Sequence, residues 1–219
     1  DNGGNNVEKN FIGTDVTGNA ARNEKNDGLR IKDLPDNLVK HNLISGNAVG
    51  VFVTLSGATG NKIEGNYIGT DIKGTIQVGN VQHGVKIQNA SNNTIGGDTK
   101  AARNIISGNG AINAEETSGL LIRGDSARDG KDASGNKVQG NYIGLNKDGD
   151  VLVNQFGLPV GNVIGVSVIN ASENLIGGEK KEEGNVISSN HEQGILIQGT
   201  ADKLGKDASK NKIQGNYIG

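Results

Sequence analysis

The chain has 219 residues, a net charge of −2, no cysteine, 36 glycines and only 3% aromatic residues. The near-zero charge leaves no electrostatic footprint for nucleic acid or an anionic membrane, and without cysteine neither disulfides nor thiolate metal sites can form. No apolar run reaches the ~18 residues of a membrane-spanning helix, so membrane insertion is not expected.

In chain order, short glycine- and asparagine-rich phrases alternate. "NNVEKNFIGTD" starts at Asn5, "GLRI" at Gly28, "DNLVKHNLISGN" at Asp36 and "GVFV" at Gly50. "NKIEGNYIGTD" follows from Asn61, "GVKI" from Gly84, "NNTIGGDTKAARNIISGN" from Asn92 and "GLLI" from Gly119. Then come "NKVQGNYIGLN" from Asn136, "GVSV" from Gly165, "ENLIGGEKKEEGNVISSN" from Glu173, "GILI" from Gly194 and "NKIQGNYIG" from Asn211. The best-preserved phrase recurs at two equal intervals of 75 residues, from 61 to 136 and from 136 to 211.

Each cycle therefore holds three patches of two to four residues with strand character: G-[VLI]-x-[IV], N-x-[IV] and N-x-I. Patches this short do not suit an antiparallel sandwich. Helical periodicity is missing, and glycine is too dense for helix interiors. The shortest cycle runs 22 residues, from Gly28 to Gly50. Three short strands per cycle, each paired with its equivalent about 4.8 Å away in the next cycle, describe a parallel β-helix. Six full cycles and a partial one predict a stack roughly 30 Å long.

The side-chain registers agree. One column reads Asn5, Asn37, Asn61, Asn93, Asn136, Asn174 and Asn211, with Val or Ile two residues later in every case. A second reads Asn10, Asn42, Asn66, Asn104, Asn141, Asn185 and Asn216, each followed two residues later by Ile. The Ile and Val columns are expected to form a dry interior, and the Asn columns amide ladders that satisfy turn backbones.

"GNYIGTD", "NTIGG", "ARNIISGN" and "GVKI" resemble the right-handed parallel β-helix repeats of large secreted and cell-surface bacterial proteins, over nearly the whole chain. The resemblance, with the handedness of parallel crossovers, implies an all-β, right-handed, single-stranded solenoid of about six to seven coils with loop insertions. Residues 1–219 read as one continuous segment, expected to be a fragment of a longer repeat protein. The wider superfamily includes polysaccharide lyases and hydrolases, phage tailspikes and adhesins, so the fold constrains function weakly.

Coils ending N-[FY]-I-G-[TL]-[DN] alternate with coils ending N-[LIV]-I-S-[GS]-N. The middle residue of N-x-I points outward in strand geometry, giving an apolar outer stripe of Phe11, Leu43, Tyr67, Ile105, Tyr142, Val186 and Tyr217. Either insertions fold back over it, or it is an interface for self-association or for another surface protein. Insertions of one type, two coils apart, are expected to line up on one edge.

Candidate chemistry is sparse. Asn146, Asp148 and Asp150 in "NKDGD" echo the first ligands of a calcium loop, without its glycine and distal glutamate. Asp15 and Asp71 stand at the position of Asn146, to cap turns or to bind Ca²⁺. His41, His83 and His191 fall at different landmarks and make no metal set; surface-loop positions are expected for them. "GLRIKD" offers outward Arg30 and Lys32, but the column of Arg30, Phe52, Lys86, Leu121, Ser167 and Leu196 carries no carboxylate cluster for acid–base work. An "RGD" at 123–125 and the "GKDAS" pair from Gly130 and Gly205 are read as loop chemistry, the latter lacking a phosphate loop's glycines and helix.

The expectation is a non-enzymatic structural or adhesive segment of an extracellular or cell-surface bacterial protein: a stalk, fibre or scaffold, with no cofactor and no catalytic residue. The alternatives are a β-helix that binds or cleaves polysaccharide, as a lyase or glycoside hydrolase, and a calcium-stabilised adhesin. Scarce aromatics for sugar stacking weigh against the carbohydrate reading.

Overall fold

A computed structural model describes residues 3–22, 25–111, 116–125, 133–199 and 208–219. Among them the chain winds through three parallel sheets, all in order of chain succession. The first sheet has seven strands, from Asn6–Glu8 to Lys212–Gln214, and the second seven, from Phe11–Ile12 to Tyr217–Ile218. The third has six, from Leu29–Lys32 to Ile195–Gln198. The described residues contain no α-helix; "DTKAAR" and "EKKEEG" each hold one short 3₁₀ turn, Lys100–Ala102 and Lys181–Glu183.

The strand registers are those of the repeat phrases. Val7, Val39, Ile63 and Ile95 pair in succession, as do Ile12, Ile44, Ile68 and Ile106. In the third sheet Val51, Val85, Leu120 and Val166 align the same way. Through the middle of the stack these side chains are fully buried and form one contiguous core. The interior is narrow because three sheets enclose it, so small and medium aliphatic side chains (Ala, Val, Ile and Leu) fill it and large rings are not needed.

Asparagine ladders close the corners. From the second coil on, a ladder Asn Oδ1 accepts two bonds from the Asn one coil earlier, from its backbone N–H and from its Nδ2, as at Asn37–Asn61 (2.9 and 2.7 Å) and Asn66–Asn104 (2.9 and 3.0 Å). A third ladder, not expected from sequence, joins Asn47, Asn80, Asn109, Asn162 and Asn190 through amide bonds of 2.9–3.0 Å before the third sheet. Left-handed backbone precedes the first two ladders, at Gly60 and Gly65 and at the non-glycine equivalents Asp36 and His41. At these corners the turn needs a positive φ, which glycine adopts without strain.

Candidate functional site

Insertions decorate two faces. After "IGTD" or "IGLN" the chain makes three equivalent hairpins, marked by the antiparallel bridges Thr14–Ala21, Thr70–Gln77 and Leu145–Val151. They sit two coils apart and still touch: Ile72 N–H donates to Gly18 O (2.9 Å) and Lys147 N–H to Gly74 O (3.0 Å). Insertions of this type therefore line up along one edge.

The calcium candidates lie at the heads of these hairpins. Asp15 Oδ1 accepts from the Asn19 and Ala20 N–H groups, and its carboxylate from the Thr17 hydroxyl. The Thr17 hydroxyl, followed by these backbone donors, holds the Asp15 carboxyl below the usual range. Asp71 is buried, and its Oδ1 accepts from Thr75 N–H (2.7 Å) and Ile76 N–H (2.9 Å). Asn146 Oδ1 accepts from the N–H groups of Asp148 and Asp150 at 2.9 and 3.0 Å, while the Asp148 carboxylate pairs with Lys147 at 2.7 Å. Each head group thus caps its own turn. Asn154 plays the same part in the longest insertion, accepting from Phe156 and Leu158 N–H.

The outward stripe lies under the hairpin row. Leu43 and Ile105 are buried, Tyr67, Tyr142 and Val186 half-buried, and only Phe11 and Tyr217, in the first and last coils, exposed. The turn glycines lie against it: a Cβ added to Gly74 would come within 3.1 Å of the Tyr67 ring, and one on Gly149 within 3.4 Å of Tyr142. The Arg103 guanidinium stacks 4.0 Å from the Tyr142 ring centroid and donates from Nε to Gly140 O. The longest insertion forms an antiparallel hairpin of Leu152–Val153 and Pro159–Val160, pinned by Gln77 N–H to Val153 O at 2.9 Å. Its tip exposes Phe156 and Leu158, 77% and 59% accessible.

The second decorated face is the outside of the third sheet. Arg30, Phe52, Lys86, Leu121, Ser167 and Leu196 stand in register there, as the sequence predicts. The neighbouring outward column reads Lys32, Thr54, Gln88, Arg123 and Ile169. Arg30 and Lys86 flank the Phe52 ring at 4.8 and 4.9 Å from its centroid. Three recesses of about 380, 620 and 230 Å³ meet around these side chains. Arg30 is paired to Asp27 at 2.5 Å and Arg123 to Glu116. Lys86 has no carboxylate at ion-pair distance among the described residues; burial, then the charge of Arg123, holds its ammonium below the usual lysine range.

The three histidines stay apart. His41 is exposed and lies 3.8 Å from Glu8, and His191 is exposed. His83 corrects the expectation of a surface loop: it begins the strand His83–Gln88 and is buried. Its Nδ1 receives the Ser118 N–H and faces the Ser118 hydroxyl, both at 3.2 Å. Burial pushes its pKa down to about 4. In the "RGD" stretch, Arg123 is tied to Glu116 and Asp125 N–H to Asn89 Oδ1 (2.6 Å). The first "GKDAS" lies largely, and the second in its first three residues, outside the described residues.

Three parallel sheets stacked in chain order around one aliphatic core, with the repeat phrases in register, make this a parallel β-helix repeat protein. Residues 2–80, little more than a third of the chain, match a family model described as NosD, periplasmic copper-binding protein. No curated protein and no solved structure matches.

Copper prefers imidazole and soft sulfur donors. The sequence has no cysteine or methionine, and among the described residues no three His, Cys, Asp or Glu side chains stand where they could hold a metal ion. His41 is the one histidine within the matched region. Among the described residues the donor set does not fit a copper centre.

Proposed function

We propose that this chain is a non-catalytic scaffold: a stiff β-helical segment of a protein working outside the cytoplasm, which holds decorated faces in fixed register. The observation that supports it most directly is the Asn66–Asn104 type of contact repeated at all three corners. The ladder asparagines tie each coil to the next, which stiffens the stack. Catalysis needs one coil to depart from its neighbours and gather a nucleophile, base or acid. Here most buried polar side chains are ladder asparagines; His83 meets Ser118 with no carboxylate bonded to the histidine, and the buried Ser107 and Thr117 hydroxyls have no hydrogen-bond partner, and so no hydrogen-bonded base, among the described residues.

The location outside the cytoplasm is supported by the periplasmic description of the family matching residues 2–80. An adhesive role would use the decorated faces, with the Phe156 tip and the ends of the apolar stripe as contacts for a second copy or another surface protein. The test is incubation of purified protein with acidic and neutral polysaccharides, followed by assays for new double bonds and new reducing ends. The scaffold reading expects neither; either product would sink it.

A further inference from the structure

The repeat places two tyrosines in the same setting and furnishes them differently. Gly65–Tyr67 and Gly140–Tyr142 each follow a strand of the first sheet, Lys62–Glu64 and Lys137–Gln139. Gly65 N–H donates to Ala102 O and Gly140 N–H to Glu183 O, both at 3.0 Å. Each ring lies under its own hairpin: a Cβ on Gly74 would meet Cε2 and Cζ of Tyr67, and one on Gly149 the same two atoms of Tyr142. Tyr142 carries the Arg103 guanidinium 4.0 Å from its centroid, while Arg103 Nε donates to Gly140 O at 3.0 Å. No arginine or lysine stacks on Tyr67 among the described residues. Arg103 ends the stretch 97–103 between Gly96 and Asn104; in the second coil only His41 stands between Lys40 and Asn42. His41 lies beside Gly65, but its Nδ1 faces Glu8 at 3.8 Å. A recess of about 290 Å³ is left between Phe11, His41, Leu43, Gly65, Tyr67 and Ile72. The Gly65 carbonyl accepts no hydrogen bond among the described residues.

We propose that this recess is a socket for an arginine side chain of a partner protein, with the guanidinium over Tyr67, one of its N–H groups on Gly65 O and its stem against Leu43 and Ile72. The fourth coil shows the fit within the same molecule: Arg103 is held by a ring and a carbonyl, with no carboxylate at ion-pair distance among the described residues. Guanidinium suits such a site because it is planar and weakly hydrated, and can stack and donate at once. A lysine ammonium is a strongly hydrated point charge and does not do both. The alkyl stem of an arginine covers apolar surface while its head stays polar, which matches walls of Leu43 and Ile72 leading to a carbonyl. Lys9, which also lines the recess, pairs with Glu8 at 3.4 Å, so its charge is offset. The second coil brings no arginine of its own to Tyr67, so the side chain that completes the site comes from outside.

This goes beyond the scaffold reading and fails separately, since cleavage of a polysaccharide would sink that reading without touching the socket. NMR titration of the isotope-labelled protein with acetyl-arginine amide tests it, with acetyl-citrulline amide, of the same shape but uncharged, as control. The expected result is saturable shifts at the Gly65 amide and the Tyr67 ring, half-complete at roughly millimolar probe, the strength of one stacked and hydrogen-bonded guanidinium. The citrulline probe should bind about tenfold more weakly. His41→Arg, which puts an arginine where Arg103 stands two coils on, should fill the socket from within and remove the response. Arg103→Ala should open a second responsive site at Gly140 and Tyr142. The proposal is overturned by the lack of a saturable shift at Gly65 and Tyr67, by equal shifts with citrulline, by an undiminished response in His41→Arg, or by no second site in Arg103→Ala. Shifts at these residues when the protein alone is concentrated would overturn it too, because a second copy would then fill the recess.

Discussion

Asn66 and Asn104 are joined twice: the backbone N–H and the side-chain amide of Asn66 both donate to Asn104 Oδ1, at 2.9 and 3.0 Å. Both residues are fully buried. The amide of Asn104 in turn reaches Ile63 O (2.7 Å) and Asn141 Oδ1 (2.9 Å). Asparagine suits this corner because one small group accepts two bonds and donates two. Asn104→Ala would strand the Asn66 N–H and the Ile63 carbonyl in the interior. It should cost about 3 kcal/mol, from one to a few lost buried bonds, read as a lower urea midpoint. Asn19→Ala, on an exposed turn, should change it by no more than about 0.5 kcal/mol.

Ile143 sits at the centre of its column, fully buried between Ile106 and Ile187. Ile143→Asp places a carboxylate where no partner is at hand. A loss of at least about 4 kcal/mol is expected, with unfolding beginning around that coil, because each coil contacts only its neighbours. Hydrogen exchange should show lost protection near Ile143 first. A variant as thermostable as the parent would remove this residue from the core.

Gly69 shows why the phrase "IG" recurs. Its φ is +91°, and an added Cβ would meet Ser107 O at 2.2 Å and Asn109 Oδ1 at 2.3 Å. The first is backbone of the next coil, and the second is held in its ladder by Asn80. Gly69→Ala should cost roughly 3 kcal/mol, from left-handed backbone strain and a displaced ladder asparagine. Thermal melting of the purified variant checks it.

His83 ties stability to pH. Burial holds its folded pKa near 4, below the ordinary histidine value of 6.5. Between these values the unfolded chain binds the proton and the folded one does not, so stability falls as pH drops from about 6.5 to about 4. The effect on stability is on the order of 3 kcal/mol. In His83→Val, which mimics its register partner Val49, this part of the acid sensitivity should vanish. An unchanged pH profile in that variant would place the acid sensitivity elsewhere.

Much of the fold was legible because the repeat kept its spacing within each phrase. Two ladders and two aliphatic columns follow from N-x-[IV] and N-x-I alone. The third ladder was hidden by variable spacing. Asn47, Asn80, Asn109, Asn162 and Asn190 precede the next strand glycine by three, four, ten, three and four residues. The recurring "[SV]-[GS]-N" ahead of them was the available signal. His83 was misplaced because a lone histidine suggests a loop, yet it occupies the position before the glycine, where Val49 and Ile164 stand in other coils. The outer face of the third sheet reads in sequence as a column, and only the fold gathers its charges into a cluster. Phe52 separates its cations in sequence, and the adjoining Asp27, Glu116 and Asp125 come from turns whose paths the repeat does not specify.

The scaffold reading meets its most direct test in a depolymerisation assay on polygalacturonate and its methyl ester, following ultraviolet absorbance for new double bonds and colorimetry for reducing ends. The purified chain should leave both polymers intact over long incubation. Sustained release of either product, abolished by heat denaturation of the protein, would contradict it and require a catalytic constellation on one of the decorated faces.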